Sequence, residues 1–199
     1  MRQKVDWTKY REEFPSRYTK QDSYFDSILT KTILNPSIQR ILDVGGGHGT
    51  KALKSEKVNI WLLDPNVLAK SWMKGNLDWR EVEAFQFDLA VARGSINYLT
   101  EQQIKKIPKI SKAFLANSFD KPPSIHWQKR EYNTQNGDKG QEWFRFKDGK
   151  IEHKLIPDNG PEIVHSFFYY SKGQYEEMLP GVKIEEYGNN SILLKLNLN

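Results

Sequence analysis

A glycine-rich turn that follows an apolar run constrains this chain more than any other feature of its sequence. The run Ile41–Val44 leads directly into Gly45-Gly46-Gly47-His48-Gly49, after which Thr50 is placed to cap a helix. A strand, a tight turn and a helix N-terminus in this order expose backbone N–H groups at the edge of a sheet. Glycines let the chain bend sharply and let a ligand approach the backbone without interference from Cβ atoms. The stretch therefore predicts a ligand-binding turn, although an ordinary surface turn remains an alternative.

The spacing of these glycines excludes two phosphate-binding patterns. The dinucleotide pattern G-x-G-x-x-G, begun at Gly45, requires a glycine where the chain has Thr50. The phosphate loop G-x-x-x-x-G-K-[ST] fails because its second glycine is missing in both registers. What remains is an acid followed by alternate glycines, at Asp43, Gly45, Gly47 and Gly49.

A second apolar run, from Val58 to Leu63, ends at Asp64. Nearly continuous apolar runs are typical of strands that are buried on both faces, as in parallel sheets. An acid at the tip of the second strand of such a sheet accepts hydrogen bonds from ribose hydroxyls. A loop acid or a helix cap before Pro65 is the alternative interpretation of Asp64.

Together these motifs resemble those of the class I S-adenosylmethionine-dependent methyltransferases. The acidic and glycine-rich turn resembles the first motif of that family, and Asp64 resembles the second. The stretch Asn76-Leu77-Asp78-Trp79 is weakly similar to the third motif, and Phe87-Asp88-Leu89 is similar to the start of the fourth strand. The resemblance covers roughly residues 38–119 and 171–199.

The resemblance implies S-adenosylmethionine as cofactor and a set of residues that would hold it. The turn would face the methionine end, Asp64 the ribose, and the third motif the adenine. The backbone after the fourth strand would flank the methionyl group, with the Arg93 side chain as a clamp for an anionic group. The implied cofactor residues are Asp43, Gly45, Gly46, Gly47, Gly49, Asp64, Leu77, Asp78, Ala92 and Arg93.

The order of elements predicts an α/β fold with a doubly wound, mostly parallel, seven-stranded-type sheet. The segment between Asp64 and Asp88 is compressed, so we expect a third strand that is short or missing and one helix over Val67–Lys74. Thr100 with Gln103 predicts a capping box at the start of a later helix. The helix Thr50–Ser55 would follow the glycine turn.

We expect one domain in four consecutive parts. Residues 1–37 form an N-terminal helical cap, in which Trp7, Tyr10, Phe14 and Tyr18 mark a first helix. Residues 38–119 form the cofactor-binding core. Residues 120–170 predict an antiparallel β cover over the substrate, inserted after the fifth strand. Polar and bulky side chains alternate over Trp127–Tyr132 and Glu142–Phe146, which predicts one hairpin, and Phe146–Ile156 predicts another that turns at Lys147-Asp148-Gly149-Lys150. Residues 171–199 form a closing helix and hairpin.

Methyl transfer from a sulfonium requires in-line alignment, and it requires a base only where the acceptor loses a proton. His165 is the first candidate for that base because it precedes an aromatic run at the expected mouth of the site. Tyr98 is the second predicted catalytic residue, as a hydrogen-bond partner of the substrate. His126 and His153 are weaker candidates, and a purely structural role is the alternative for each.

Composition and motifs narrow the class of molecule that could accept the methyl group. The chain has no Cys, which excludes a disulfide framework, a zinc–thiolate site and the nucleophile that cytosine C5 methylation needs; no metal is predicted. The sequence Ala92-Arg93-Gly94-Ser95 replaces the [DN]-P-P-[YF] motif of DNA amino methylation. The net charge is only +5 with interspersed acids. A small-molecule acceptor is therefore predicted, with an RNA acceptor or a cofactor-binding protein without catalysis as alternatives.

The same composition bears on location. The N-terminus has no apolar core, and no apolar run approaches membrane-spanning length, so the expectation is a cytoplasmic chain without a membrane partner. The sequence leaves the oligomeric state open.

Overall fold

The computed structural model describes residues 23–46, 53, 57–64, 69, 71–133, 139–159, 162–188 and 190–198. Its helices are α1 (Ser23–Ile33), α2 (Glu101–Ile110) and α3 (Lys172–Met178), and short 3₁₀ turns cover Glu81–Ala84 and Ile96–Tyr98. The strands in chain order are β1 (Arg40–Val44), β2 (Asn59–Leu63), β3 (Gly75–Asn76), β4 (Phe87–Ala92), β5 (Ser111–Phe119), β6 (Gln128–Asn133), β7 (Lys139–Lys147), β8 (Lys150–Pro157), β9 (Ile163–Phe168), β10 (Lys183–Tyr187) and β11 (Ser191–Leu196).

Seven strands form the main sheet in the order β10-β11-β5-β4-β1-β2-β3. The pairings among β1 to β5 are parallel, whereas β11 runs antiparallel to both β5 and β10. The strand order reverses at β1, because β2 and β3 lie on one side of it and β4 and β5 on the other. This is the predicted doubly wound, mostly parallel sheet.

Helices cover both faces of this sheet because side chains of its central strands alternate between two apolar clusters. Leu42 and Val44 pack into one cluster, together with residues that α2 and α3 contribute: Ile104, Ile107, Ile110, Tyr175 and Met178. Ile41 packs into the other cluster, with Phe25 and Leu29 of α1. Each fully buried side chain of this size contributes about 1.5–3 kcal/mol to folding.

Two capping boxes define where α2 and α3 begin. The Thr100 hydroxyl accepts from the Gln103 backbone N–H, and the Gln103 side chain accepts from the Thr100 backbone. The predicted capping box is thus confirmed. Ser171 and Gln174 repeat the arrangement at α3. Each cap satisfies two backbone N–H groups that a helix start leaves without partners.

The segment between β5 and α3 forms a second, four-stranded antiparallel sheet in the order β6-β7-β8-β9. We call it the cover sheet. The β7–β8 turn lies at Asp148 and Gly149, where the sequence predicted it, and both residues have positive φ. The sequence indicated three of its strands, and β9 is an addition.

Some expectations are corrected. Residues 71–74 lie in turns and bends rather than in a helix that runs to Lys74, because the chain must reach β3 at once. The third strand is present but has only two residues. The helices expected over residues 1–22 and Thr50–Ser55 lie outside the described residues, except for Leu53. Within the described ranges, no helix combines the length and apolar character that a membrane span requires.

Candidate functional site

The turn after β1 meets the turn after β4 at the point where the strand order reverses. In open α/β sheets, ligands bind outside the carboxyl ends of the strands at this position. Gly45 has a φ of +64°, and a Cβ atom there would lie 2.7 Å from the Cβ of Ser95. The Ser95 hydroxyl donates to the Val44 carbonyl, and the Gly45 N–H donates to the Leu63 carbonyl at 2.8 Å. Only glycine fits both the conformation and the contact at position 45.

Gly46 lies directly over the carboxylate of Asp43. A Cβ atom at position 46 would come within 2.1 Å of Oδ2 and 2.4 Å of Oδ1. Asp43 is fully buried beneath the turn. The two residues therefore place the backbone of the turn directly against a buried carboxylate, and the structure brings together three of the predicted cofactor residues, Asp43, Gly45 and Gly46. Gly47 and Gly49 lie outside the described residues, so their roles stay predictions.

Asp64 follows β2 at the same edge of the sheet, and a side chain of β3 fixes its backbone. The Asn76 Oδ1 accepts from the Asp64 N–H at 3.1 Å, and the Asn76 Nδ2 donates to the Asp64 carbonyl at 2.7 Å. These two side-chain hydrogen bonds stand in for the backbone hydrogen bonds that a longer β3 would make to the chain at Asp64. Asn76 is thus a positioning residue that the sequence argument passed over in favour of its neighbours.

Those neighbours, Leu77 and Asp78, lie just beyond β3. The Leu77 N–H donates to the Leu62 carbonyl at 2.7 Å, and its side chain packs against the core cluster of α2 and α3. Asp78 is exposed, and its carboxylate accepts from the backbone N–H groups of Glu81 and Arg80. These two hydrogen bonds lower the pKa of Asp78. A contact of either residue with adenine stays a prediction.

Ala92 and Arg93 lie where β4 leaves the sheet. Ala92 is fully buried as the last residue of the strand. The Arg93 guanidinium donates to Asp26 on α1, with Nη2 and Oδ2 2.7 Å apart. The side chain that was expected to clamp a ligand therefore has a protein carboxylate as partner and ties α1 to the edge of the sheet. Its role toward a ligand stays a prediction.

A buried polar network fastens the cover sheet to this edge. The Asn97 Nδ2 donates to the Phe168 carbonyl at 2.9 Å, and its Oδ1 accepts from the Ser118 hydroxyl at 3.1 Å. The Ser118 hydroxyl also lies 2.7 Å from the Tyr175 hydroxyl. One hydrogen-bonded cluster thus joins four segments, which are β5, β9, α3 and the 3₁₀ turn Ile96–Tyr98. Networks that satisfy all their members hold a unique arrangement.

The two predicted catalytic residues meet beside this network. The Tyr98 hydroxyl lies 3.4 Å from Nδ1 of His165, and the two rings are nearly parallel. On its other side, His165 Nε2 lies 2.6 Å from Nδ1 of His153. The Nε2 of His153 then lies 3.4 Å from Oε1 of Glu142. The strand register explains the arrangement. His153 on β8 stands opposite His165 on β9 and opposite Phe144 on β7, and Glu142 lies two residues before Phe144 on the same face.

Burial sets the protonation of His165. The pKa of His165 is lowered from 6.5 to about 3. The main cause is burial, which disfavours the imidazolium form, and the neighbouring His153 lowers the pKa further. His153 and Glu142 are both buried. His165 is therefore a neutral imidazole at neutral pH. Among the described residues, no group of three or more His, Asp or Glu side chains is arranged to hold a metal ion.

Aromatic side chains surround the exposed end of this group. Phe167 on β9 stacks on Phe119 at the end of β5, with ring centroids 5.4 Å apart, and it also contacts Tyr98 at 5.6 Å. Tyr98 and Phe119 keep 40% and 37% of their surface exposed. An open aromatic surface next to polar groups is typical of small-molecule sites.

Sequence reasoning missed Asn76, Ser95 and Glu142. Asn76 and Ser95 belong to stretches that had been singled out, but nothing local marks a side chain that bonds to another strand's backbone. Glu142 and His153 come from different strands of the cover sheet, and only the register brings them together. The alternation of buried residues along β8, which places His153 with Ile151 and Leu155, was the available signal.

No protein-family model and no curated protein sequence matches the chain. Several solved structures match the chain. An S-adenosylmethionine-dependent methyltransferase from Clostridium acetobutylicum ATCC 824 superposes with a TM-score of 0.66 at 14% identity, over 96% of this chain and 98% of that one. The CcbJ methyltransferase from Streptomyces caelestis gives a TM-score of 0.58 at 11% identity, over 85% of this chain and 92% of that one.

The glycopeptide N-methyltransferase MtfA, solved with S-adenosyl-L-methionine, gives a TM-score of 0.50 at 12% identity, over 85% of this chain and 91% of that one. At identities this low, the similarity shows the fold. The chain has the fold of the class I S-adenosylmethionine-dependent methyltransferases, with the antiparallel cover inserted after the fifth strand. The predicted fold class is confirmed.

Proposed function

We propose that this chain binds S-adenosylmethionine and transfers its methyl group to a small-molecule acceptor. The observation that carries the proposal is the glycine turn at the switch point, where a Cβ atom at position 46 would occupy the Asp43 carboxylate. A ligand bound there meets backbone rather than side chains, as a charged amino-acid moiety requires. Similarity in fold to methyltransferases over 96% of the chain supports the same conclusion.

The proposal assigns residues at this edge of the sheet to each part of the cofactor. In the proposal, the backbone of Gly45 and Gly46 faces its methionine carboxylate and amino group, and Asp64 accepts from the ribose hydroxyls. Leu77 and Asp78 lie beyond the ribose, toward the adenine. The backbone at Ala92 and Arg93 flanks the methionyl group. Asn76 supports the set because it holds the backbone of Asp64 from both sides.

The chemistry left to the protein is modest. S-adenosylmethionine supplies a methyl group that its sulfonium has already activated, so alignment of the acceptor provides much of the acceleration. The chain's own residues orient the acceptor, exclude water and accept a proton where the acceptor loses one. Tyr98 and His165 take these last roles in the proposal, because they share the exposed aromatic end of the cover sheet.

A small acceptor is supported by the aromatic surface of Tyr98, Phe119 and Phe167, which suits a flat or apolar molecule. The proposal leaves the methylated atom as oxygen or nitrogen. The test is incubation of the full chain with methyl-labelled S-adenosylmethionine and a cell extract, followed by separation into small molecules, RNA and protein. Label in the small-molecule fraction is expected. Label confined to RNA, or no label in any fraction, would contradict the proposal.

A further inference from the structure

The buried side of the cover sheet carries a polar chain that cofactor binding does not explain. We propose that the hydrogen-bonded pair His165 and His153 is the middle of a directional proton relay, which begins beside Tyr98 and ends at the buried carboxylate of Glu142. The inference rests on the proposed function, since the relay serves an acceptor that gives up a proton when it is methylated. It assigns positioning and proton-accepting roles to His153 and Glu142.

The direction follows from what each atom is able to donate. The Nε2 of His153 lies 3.4 Å from Glu142 Oε1, within ion-pair distance but outside hydrogen-bond geometry. An ionised carboxylate only accepts, so in the proposal this nitrogen carries a proton. A neutral imidazole has one N–H, so Nδ1 of His153 is then an acceptor. The Nδ1 of His153 therefore accepts a hydrogen bond from the Nε2–H of His165, and the two nitrogens are 2.6 Å apart. The lone pair of His165 Nδ1 is left facing the Tyr98 hydroxyl at the exposed end.

The proton transfer balances without a lasting charge on either ring. The X–H bond of the acceptor, where X is oxygen or nitrogen, breaks, and its electron pair stays on X to receive the methyl group. The proton enters at Nδ1 of His165, the Nε2 proton of His165 moves to Nδ1 of His153, and the Nε2 proton of His153 moves to Glu142. One proton arrives and one carboxylate becomes a carboxylic acid.

A terminal carboxylate solves a difficulty that a single histidine would have. Burial holds His165 neutral, so alone it would not retain a proton at neutral pH. Passing the proton on neutralises the Glu142 charge instead of creating a buried imidazolium, and a buried charge is costly. The rings around the pair, Phe144 stacked on His153 at 4.4 Å and Phe167 near His165 at 5.8 Å, surround it with apolar surface.

Among the described residues, few other titratable or charged groups face the relay. Tyr98 faces it from the turn after β4, and Glu142 from β7. Arg130 of β6 stands opposite Glu142 in the strand pairing and is exposed. The ion pair of Arg145 with Glu152 belongs to the other face of the cover sheet, because both residues alternate with the buried positions of their strands. Glu152 therefore supplies a matched control.

The test is long-range ¹H–¹⁵N spectroscopy of the imidazole rings in the full chain without cofactor. The relay predicts that, at neutral pH, His153 and His165 are both neutral and both carry the proton on Nε2. In Glu142→Leu, the His153 Nε2–H loses its acceptor, so the proton of His153 moves to Nδ1. That N–H then donates to His165 Nε2, and the proton of His165 switches to Nδ1 as well.

The switch at His165 distinguishes a relay from local packing, since Glu142 contacts His153 and His153 in turn contacts His165. Glu152→Leu removes a carboxylate from the opposite face and should leave both rings unchanged. An Nδ1 proton on either ring of the wild-type protein would overturn the proposal, and this result does not depend on the variant folding. So would an unchanged His165 in folded Glu142→Leu. Cofactor titration is a separate measurement, so failure of the relay and failure of the proposed function are distinguishable.

Discussion

The backbone of Gly46 lies over the carboxylate of Asp43 so closely that a Cβ atom would come within 2.1 Å of Oδ2. Gly46→Ala must therefore displace either the turn or a fully buried carboxylate. We expect it to lower the free energy of unfolding by about 1–3 kcal/mol and to weaken S-adenosylmethionine binding at least tenfold. Denaturant unfolding and calorimetric titration measure the two effects.

Gly173→Ala is the matched control, because nothing lies within 4 Å of a Cβ atom there and the residue is in α3. It should be neutral or stabilising by up to about 1 kcal/mol. Equal loss of cofactor affinity in both variants would show that the close approach at Gly46 is not the cause.

Asn76→Ala removes the side chain that bonds both backbone groups of Asp64. The Asp64 carboxylate should then be held less firmly, so we expect a threefold to tenfold loss of cofactor affinity. Two lost hydrogen bonds also lower the free energy of unfolding by about 1–3 kcal/mol. Asn59→Ala, at the exposed opposite end of β2, should leave cofactor affinity unchanged. An Asn76→Ala variant that binds as tightly as the wild type would refute the positioning role.

The ion pair of Arg93 with Asp26 joins the edge of the sheet to α1. A double-mutant cycle of Arg93→Ala and Asp26→Ala should give a coupling energy of about 0.5–1.5 kcal/mol in the free energy of unfolding, since the pair is only partly buried. If α1 anchoring is the main role of this arginine, Arg93→Lys should change cofactor affinity less than twofold. A tenfold loss of affinity in Arg93→Lys would instead support the ligand clamp.

The depressed pKa of His165 makes stability depend on pH. The folded protein binds fewer protons at this ring than the unfolded chain does between pH 6.5 and about 3. Its contribution is therefore fully present above pH 6.5 and is lost as pH falls toward 3, with a slope of at most about 1.4 kcal/mol per pH unit. His153 and Tyr98 face the ring, and Glu142 contacts His153.

Comparison of unfolding free energies between pH 7 and pH 5 isolates this effect. His165→Phe should flatten the dependence, because phenylalanine has no proton to gain. His126→Phe, at an exposed position between β5 and β6, should leave the slope unchanged. Identical slopes in the wild type and His165→Phe would mean that His165 is not held neutral by the fold.

The parts of the fold that the sequence predicted are those with local signals. The capping box at Thr100 and Gln103 needs only residues three positions apart, and the turn at Asp148 and Gly149 needs only two. The glycine turn and Asp64 each end an apolar run, so both could be placed at one edge of a parallel sheet. Tyr98 and His165 were each chosen for local context, and the structure brings them together.

The remainder depends on contacts between distant segments. No local pattern indicates that Asn76 holds the Asp64 backbone, since a two-residue strand has no periodicity of its own. The contact of His153 with His165 depends on the register of β8 against β9. A shift of one residue would move the side chains of one strand to the other face of the sheet. Arg93 was assigned to a ligand because no local pattern indicates that Asp26, in another element, lies within its reach.

The most direct test of the account is calorimetric titration of the full chain with S-adenosylmethionine, for the wild type, Asp64→Ala and Asp158→Ala. Asp158 is an exposed acid after β8 and serves as the control. We predict saturable binding to the wild type and to Asp158→Ala, and an affinity at least tenfold lower in Asp64→Ala, which is about 1.4 kcal/mol or more. No binding to the wild type, or equal affinity in all three proteins, would contradict the account.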